Sequence, residues 1–181
     1  IFSPKEKTPD IEKKLYLTRK RIENKIKAQS INDFYVCSLS TQTIVYKGMF
    51  LAEQLSEFYP DLLDNEFTSK FAIYHQRYST NTFPTWSLAQ PFRVLAHNGE
   101  INTLKGNINW MSAHEPRITH PFFNERINDL KPILDPDASD SASLDAAFEL
   151  FVQTDRDMPM AKSMIIPESW SNRSDLSDQL K

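Results

Sequence analysis

Glycine is nearly absent from this sequence, and its scarcity strongly limits the folds that the chain can adopt. Among 181 residues, only Gly48, Gly99 and Gly106 are glycine. Dinucleotide-binding folds and P-loop enzymes need closely spaced glycines where the backbone wraps a phosphate, and the interval between Gly99 and Gly106 fits neither motif. Turns must therefore come mostly from Pro, Asn, Asp and Ser, and each glycine indicates a particular backbone need.

Four segments have the residue pattern of β-strands. Phe34–Leu39 and Thr43–Lys47 are rich in β-branched and aromatic residues and flank a short turn. Residues 71–80 alternate between two faces, and Phe92–His97 forms a further run after a proline-containing loop. These patterns predict a set of neighbouring strands.

Helical spacing of apolar residues marks four other segments. One begins at a predicted N-cap, Thr8, and a short one spans Leu51–Tyr59. The others run from Ile101 to Met111 and from Ser141 onward, and a long Pro/Asp-rich loop is expected over residues 120–140. Strands in a run, with helices between and after them, predict an α+β protein with mostly antiparallel pairing.

Charge is distributed unevenly along the chain. Residues 1–30 carry nine Lys/Arg and four Asp/Glu, and the remainder carries twelve against twenty, so that +5 and −8 sum to a net −3. The basic segment predicts an amphipathic helix that either lies solvated on the surface or binds RNA, a membrane or an acidic partner. The small net charge argues against a broad nucleic-acid interface, and no apolar run reaches the roughly 18 residues of a membrane span.

Chain length and cysteine content narrow the class further. A chain of 181 residues with 40% hydrophobic residues has the size of one domain with a real core. Cys37 is the single cysteine, which excludes an internal disulfide framework and fits a reducing compartment. Because Cys37 lies within a predicted apolar strand, we interpret its thiol as a packing group rather than a nucleophile. The histidines have none of the spacings typical of a metal site.

Several polar residues have the chemistry of a clamp for an α-amino acid. Arg77 ends a predicted strand and could hold a carboxylate with two hydrogen bonds. Asn98 and Gly99 offer a side-chain and a backbone donor, as an oxyanion hole requires, and Asp140 could hold an ammonium group. Each also has a structural interpretation: a surface ion pair for Arg77, a turn for Asn98–Gly99 and a helix cap for Asp140.

Two long blocks carry a specific resemblance, "HQRYSTNTFPTWSLAQPFRVLAHNGEINTLKGNINWM" and "SDSASLD". With "FYVCSLSTQTIVYKGM" and "MAKSMIIPESW", they make nearly the whole chain resemble the class II, N-terminal-nucleophile glutamine amidotransferase domain of the glutamate synthase large subunit. The resemblance implies an αββα sandwich that hydrolyses L-glutamine to glutamate and ammonia. The ammonia would pass to a synthase site for 2-oxoglutarate.

The resemblance also implies roles for individual residues. Arg77 corresponds to the arginine that binds the α-carboxylate of glutamine, with Thr80 nearby. Asn98 and Gly99 correspond to the oxyanion-hole donors, and Asp140 to the carboxylate that holds the α-ammonium. The nucleophile of the family is an N-terminal cysteine, whereas this chain begins with Ile1. We therefore expect an internal part of the domain that is inactive alone.

Within that part, the expected organisation is a basic helical segment over 1–30, an αββα core over 31–170 and a polar tail over 171–181. No cofactor is expected in this chain, whereas FMN and an iron–sulfur cluster are implied for the whole enzyme. The implied partners are L-glutamine and the remaining domains of the large subunit, and a small NADPH-oxidising subunit stays open. No nucleic acid or membrane partner is expected, and the implied location is the cytoplasm, or the plastid stroma in a plant or alga.

Two other interpretations stay open from the sequence. One is a non-catalytic module that binds an amino acid or a partner and uses the basic helix for docking. The other is a different class II amidotransferase, which would share the same clamp.

Overall fold

The structure, a computed structural model, describes residues 7–31, 33–76 and 83–166. The α-helices in these ranges are α1 (Thr8–Lys27), α2 (Leu55–Phe58), α3 (Lys105–His114), α4 (Asp140–Gln153) and α5 (Met158–Ile165). Short 3₁₀ turns occur at Ala52–Gln54, Pro60–Leu63, Trp86–Leu88, Glu115–Arg117 and Asn124–Leu130. The regular secondary structure of the described residues is therefore helical.

The predicted strands are the largest departure from expectation. In the described part of the chain, no strand forms in any of the predicted segments, which are Phe34–Leu39, Thr43–Lys47, residues 71–76 and Phe92–His97. The first two segments do lie side by side, because the Ser38 hydroxyl accepts a hydrogen bond from the Val45 backbone N–H at 3.0 Å. A strand is stabilised by backbone and side-chain pairing with a neighbour, which the alternation within one segment does not supply. The predicted sheets are thus not formed by the described residues.

Helix α1 forms as expected but begins differently. Its N-cap is Lys7, without a side-chain cap bond, and Thr8 is already helical, so the prediction of Thr8 as N-cap is wrong. The preference of threonine for the cap is lost here because Pro9 is accepted at either of the first two helical positions. The helix buries Leu15 and Leu17 in the core.

Three other helices differ in extent from the sequence prediction. The segment Leu51–Tyr59 is not one helix, since a 3₁₀ turn precedes the four residues of α2. Helix α3 begins at Lys105, after its N-cap Leu104, so Ile101 lies before it. Helix α5 was not predicted, although the Asp157 carboxylate caps it by accepting from the Met160 backbone N–H at 2.7 Å. Helix boundaries depend on such cap bonds more than on apolar spacing.

The hydrophobic core lies between α1, α4 and the segment before α4. Its buried members are Tyr16, Leu17, Phe123, Leu130, Ile133, Leu134 and Leu150. Four of the seven come from residues 120–140, which the sequence predicted to be a loop. That segment contains the 3₁₀ turn Asn124–Leu130 and further turns, and its apolar side chains form the centre of the core.

The basic face of α1 packs on acidic residues of the same chain. Lys13 pairs with Asp155 and Arg19 with Glu149, and both cations are nearly inaccessible to solvent. Two exposed pairs continue along the helix, Lys27 with Asp135 at 2.7 Å and Arg21 with Asp129 at 3.4 Å. The basic segment thus neutralises acidic residues of its own fold, and this contact accounts for the uneven charge.

Candidate functional site

The turn at Asn98 and Gly99 is exposed to solvent. The Asn98 side-chain oxygen Oδ1 lies 3.2 Å from Nε2 of His75. Among the described residues, a Cβ built on Gly99 would meet only Nδ1 of His97, at 3.9 Å, and none of the three glycines has a positive φ. The backbone itself therefore does not require glycine at this position, and the missing side chain leaves open space over the turn.

The N-terminus of α4 lies beside the same turn. Ser139 caps the helix through its hydroxyl, which accepts from the Ala142 backbone N–H at 3.2 Å. Asp140 is half-buried, and its Oδ1 accepts from the Ser141 backbone N–H at 2.5 Å and from the Ser141 hydroxyl at 3.1 Å. Asp140 is not the N-cap, which corrects the capping interpretation. No hydrogen bond engages its Oδ2 within the described ranges, so this oxygen can accept from a ligand.

Hydrogen bonds between histidines and their partners bring three segments together. Nε2 of His97, the residue before Asn98, lies 2.7 Å from Oγ of Ser141, the residue after Asp140. His75, two residues before Arg77, contacts Asn98 itself. The neighbours of three predicted site segments therefore meet in one place. Arg77 and Thr80 themselves lie outside the described residues.

A buried carboxylate holds the backbone that leads into the turn. Asp145 of α4 is 1% exposed and accepts from three successive backbone N–H groups, those of Arg93 at 3.4 Å, Val94 at 2.9 Å and Leu95 at 3.0 Å. Burial raises the pKa of Asp145 to about 6, although the Val94 N–H and the Arg93 cation oppose the shift. Segment 93–95 is thus fixed to α4 just before His97.

Arg93 ties this segment to α1. Its guanidinium donates to the Glu23 carboxylate at 2.6 Å and to the Val36 carbonyl at 3.0 Å, and it stacks 4.1 Å from the centre of the Tyr35 ring. Glu23 also accepts from Arg19 at 2.7 Å. Such charge-assisted bonds are strong where water is excluded, so the turn is held by α1 and α4 together.

Cys37 and Lys47 lie elsewhere in the chain and are held in environments that do not activate the Cys37 thiol. Burial raises the pKa of the Cys37 thiol, which the nearby Lys47 ammonium only partly opposes, and a protonated thiol is a poor nucleophile. Lys47 is buried between the rings of Tyr35 and Phe92 and donates to the Ser87 carbonyl at 3.0 Å. Within residues 7–31, 33–76 and 83–166, no group of three or more His, Cys, Asp or Glu side chains could hold a metal ion.

Four residues of this arrangement were not proposed from the sequence, namely His75, His97, Ser141 and Asp145. A signal existed for His75, which shares one face of the alternating segment with Arg77. His97 and Ser141 directly adjoin predicted site residues, but adjacency along the chain does not reveal which side chains meet. Asp145 looked like an ordinary polar residue in a helix.

In the part of the chain that the structure describes, no helix is both long enough and apolar enough to cross a membrane.

Comparison with known protein families gives one match over the whole chain. Residues 1–181 match the family model described as "Glutamine amidotransferases class-II".

Curated proteins similar to this chain have consistent names. The "Glutamate synthase [NADPH] large chain" of Azospirillum brasilense is 60% identical over 167 residues, which cover 92% of this chain and 11% of that protein. The protein of the same name in Bacillus subtilis is 51% identical, with 93% and 11% covered. The chloroplastic "Ferredoxin-dependent glutamate synthase" of Spinacia oleracea is 49% identical, with 94% and 11% covered. The chain thus spans about a tenth of the length of these relatives.

Proposed function

Because this chain belongs to the class II glutamine amidotransferase family, we propose that it is part of the glutaminase domain of a glutamate synthase. The family implies the N-terminal-nucleophile hydrolase fold, and the proposed complete domain is an αββα sandwich. In that domain, L-glutamine and water give glutamate and ammonia. The observation that best supports a site in this chain is the meeting of His75 with Asn98 and of His97 with Ser141.

The proposed substrate clamp uses the residues of these three segments. Arg77, with Thr80 beside it, binds the α-carboxylate of glutamine, because a guanidinium matches a carboxylate with two parallel hydrogen bonds. Asp140 holds the α-ammonium through the carboxylate oxygen that Ser141 leaves unengaged. Opposite charges at the two ends of the substrate backbone fix the direction in which its side-chain amide extends.

Asn98 and Gly99 act on the reacting carbonyl. When a thiolate attacks the side-chain amide of glutamine, negative charge develops on the carbonyl oxygen. The Asn98 side-chain N–H and the Gly99 backbone N–H donate to that oxygen, which lowers the energy of the tetrahedral intermediate. Collapse of the intermediate breaks the C–N bond, and the nitrogen takes up the proton that the attacking thiol released, so that it leaves as ammonia. Water then hydrolyses the thioester to glutamate.

The attacking thiol is proposed to come from outside these 181 residues. Cys37 cannot act as the N-terminal cysteine of the family, because its nitrogen lies in a peptide bond. The FMN and iron–sulfur cluster of the whole enzyme are not assigned to this chain. A cluster is held by several cysteine thiolates, and this sequence has one cysteine.

Other regions of the whole enzyme are proposed to complete the reaction. They would receive the ammonia and join it to 2-oxoglutarate, with reducing equivalents from a small NADPH-oxidising subunit or from ferredoxin. The proposed location is the cytoplasm, or the plastid stroma if the source is a plant or alga.

The decisive experiment replaces Asn98 in a full-length enzyme that contains this sequence. We expect Asn98→Ala to lower kcat for glutamine hydrolysis by about 100- to 1,000-fold, the cost of one oxyanion donor. The matched control is Asn128→Ala, because the exposed Asn128 side chain accepts from Lys131 at 2.9 Å and makes no other hydrogen bond to the described residues. If Asn98→Ala and Asn128→Ala hydrolyse glutamine equally well, Asn98 is not an oxyanion donor.

Two further variants test the clamp. Among the described residues, a Cβ at Gly99 meets no atom within 3.4 Å, so we expect a loss of activity in Gly99→Ala to reflect crowding of the substrate. Asp140→Ala and Arg77→Ala should raise KM for glutamine by at least about tenfold, because each removes a charged partner of the substrate. Unaltered KM values in both variants would contradict the assignment of the clamp.

A further inference from the structure

The contact between His75 and Asn98 determines how the Asn98 amide is oriented. An asparagine amide has a donor side, Nδ2, and an acceptor side, Oδ1. The structure places Oδ1 against Nε2 of His75 at 3.2 Å. Among the described residues, this is the only hydrogen bond that the Asn98 side chain makes. An imidazole that carries its proton on Nε2 donates to Oδ1, and this leaves Nδ2 directed away from His75.

This orientation matters because the two sides of the amide have opposite effects on an oxyanion. Nδ2 facing the developing charge stabilises the charge, whereas Oδ1 facing it repels it. An exposed amide that lacks a partner for Oδ1 can rotate about its last side-chain bond, since that torsion has two broad minima. A fixed donor on the opposite side removes the unproductive orientation before the substrate arrives, which is the preorganisation that oxyanion holes require.

A separate contact holds the backbone next to Asn98. His97, the residue before Asn98, contacts Ser141 near the start of α4, and this contact holds the backbone that enters the turn. The turn therefore has one contact that fixes its backbone and another that fixes its amide.

We propose that His75 is a positioning residue for glutamine hydrolysis. It donates from Nε2–H to Oδ1 of Asn98 and thereby directs the Asn98 NH₂ group towards the oxyanion, without touching the substrate itself. This inference rests on the proposed function, because it assumes that Asn98 is an oxyanion donor. It assigns to His75 a requirement for a hydrogen-bond donor rather than for an aromatic ring or a charge.

The test compares substitutions at His75 in the full-length enzyme that contains this sequence. Gln places an amide N–H about where Nε2 lies, Asn has a shorter reach, and Leu keeps bulk but donates nothing. We expect His75→Leu to lower kcat for glutamine hydrolysis about tenfold with KM changed less than about twofold, the loss of one aligning hydrogen bond. We expect His75→Gln to restore most of the rate and His75→Asn to resemble His75→Leu.

A double-substitution experiment separates positioning from general damage. In the Asn98→Ala background, His75→Leu should cause no further loss, since the amide that His75 orients is already gone. His114→Leu provides the matched control, because His114 lies exposed at the end of α3 and makes no hydrogen bond to Asn98, Gly99 or Asp140 among the described residues. It should keep the wild-type rate.

The possible outcomes are distinct. If His75→Leu and His75→Gln lose activity equally, or if His75→Leu multiplies the defect of Asn98→Ala, His75 does not act through the amide. If Asn98→Ala loses 100-fold and His75→Leu loses nothing, this inference fails while the proposed function stands. If Asn98→Ala itself is fully active, the proposed oxyanion hole and the role of His75 fail together.

Discussion

Two regions of the molecule differ in how completely they bury their large side chains. The helical region consists of α1, residues 118–134 and α4, and it buries large side chains completely, such as Phe123 and Leu130. The turn region consists of residues 33–76 and 83–104, and it leaves Phe71 74% and Phe83 87% exposed. A helix satisfies its backbone hydrogen bonds internally, whereas a strand needs a neighbour. The helices therefore form within single segments, whereas the described segments with strand-like patterns lack the pairing that a strand requires.

The largest expected difference between the two regions is in the free energy of unfolding when the same substitution, Phe to Ala, is made in each. Phe123→Ala should lower the free energy of unfolding of this 181-residue polypeptide by about 3–5 kcal/mol, because it leaves a cavity in the core. Phe71→Ala, the same change on an exposed side chain, should stay within about 0.5 kcal/mol. Denaturant unfolding followed by circular dichroism measures both. Similar losses in the two variants would mean that Phe71 is packed in solution.

The next comparison separates buried from exposed ion pairs of α1. Arg19→Met leaves the Glu149 carboxylate without its partner in a site that is largely closed to water, and should cost about 3 kcal/mol. Lys27→Met breaks the exposed pair with Asp135, and should cost less than about 1 kcal/mol. The same unfolding measurement applies at low and high salt. A larger loss for Lys27→Met would contradict the buried network.

Asp145 links the two regions, and its titration gives a pH-dependent prediction. Burial raises its pKa from 3.8 to about 6 in the folded state. Between these values the folded chain binds the proton more tightly than the unfolded chain does. The stabilisation from Asp145 is therefore complete below about pH 3.8 and is lost as the pH rises through about 6.

The Asp145→Asn variant lacks this titration. The free energy of unfolding of the wild type minus that of Asp145→Asn should therefore fall by at most about 3 kcal/mol between pH 4 and pH 7. Asp135 and Asp155 have lowered pKa values, chiefly through hydrogen bonds from Lys27 and Lys13, and act in the opposite direction. Both are present in the two proteins and cancel in the difference. A difference that grows with pH would show that Asp145 is stabilised as the anion.

The smallest expected effect concerns α5, the helix that follows the helical region along the chain. Asp157→Ala removes the cap of α5 and should cost about 1 kcal/mol. Asp157→Asn should retain nearly all of that free energy, because Asn also accepts from the third residue of the helix. Helical circular dichroism on heating compares the three proteins. Equal losses for Ala and Asn would mean that charge, and not the cap bond, stabilises the helix.

The fold could be predicted from the sequence only in part, and the roles assigned to Asn98, Gly99 and Asp140 remain predictions. The residue types of Asn98, Gly99 and Asp140 supply hydrogen-bond donors and acceptors. The structure brings neighbours of these residues into contact, through His75 with Asn98 and His97 with Ser141. The strand predictions failed for the described residues because pairing is a property of two segments. The assignments of Arg77 and Thr80, which lie outside the described residues, remain predictions.

The burial of charge was also beyond the reach of sequence patterns. Lys13 and Arg19 look like the solvated face of a basic helix, yet each is closed off from water beside a carboxylate more than a hundred positions away. The apolar residues between the prolines and aspartates of 120–140 look like loop residues, and they fill the core. Both errors arise because a local pattern does not contain the partner.

By itself, the sequence indicated the helices α1 and α4, the residue types of the proposed clamp and, through its long specific blocks, the family. These depend on short-range spacing and on side-chain chemistry, which the order of residues states directly. Only the tertiary structure determined which residues form hydrogen bonds with each other, such as Asp145 with the backbone of residues 93–95 and His75 with Asn98. Such contacts join positions 23 to 52 residues apart, and their geometry exists only once the chain has packed.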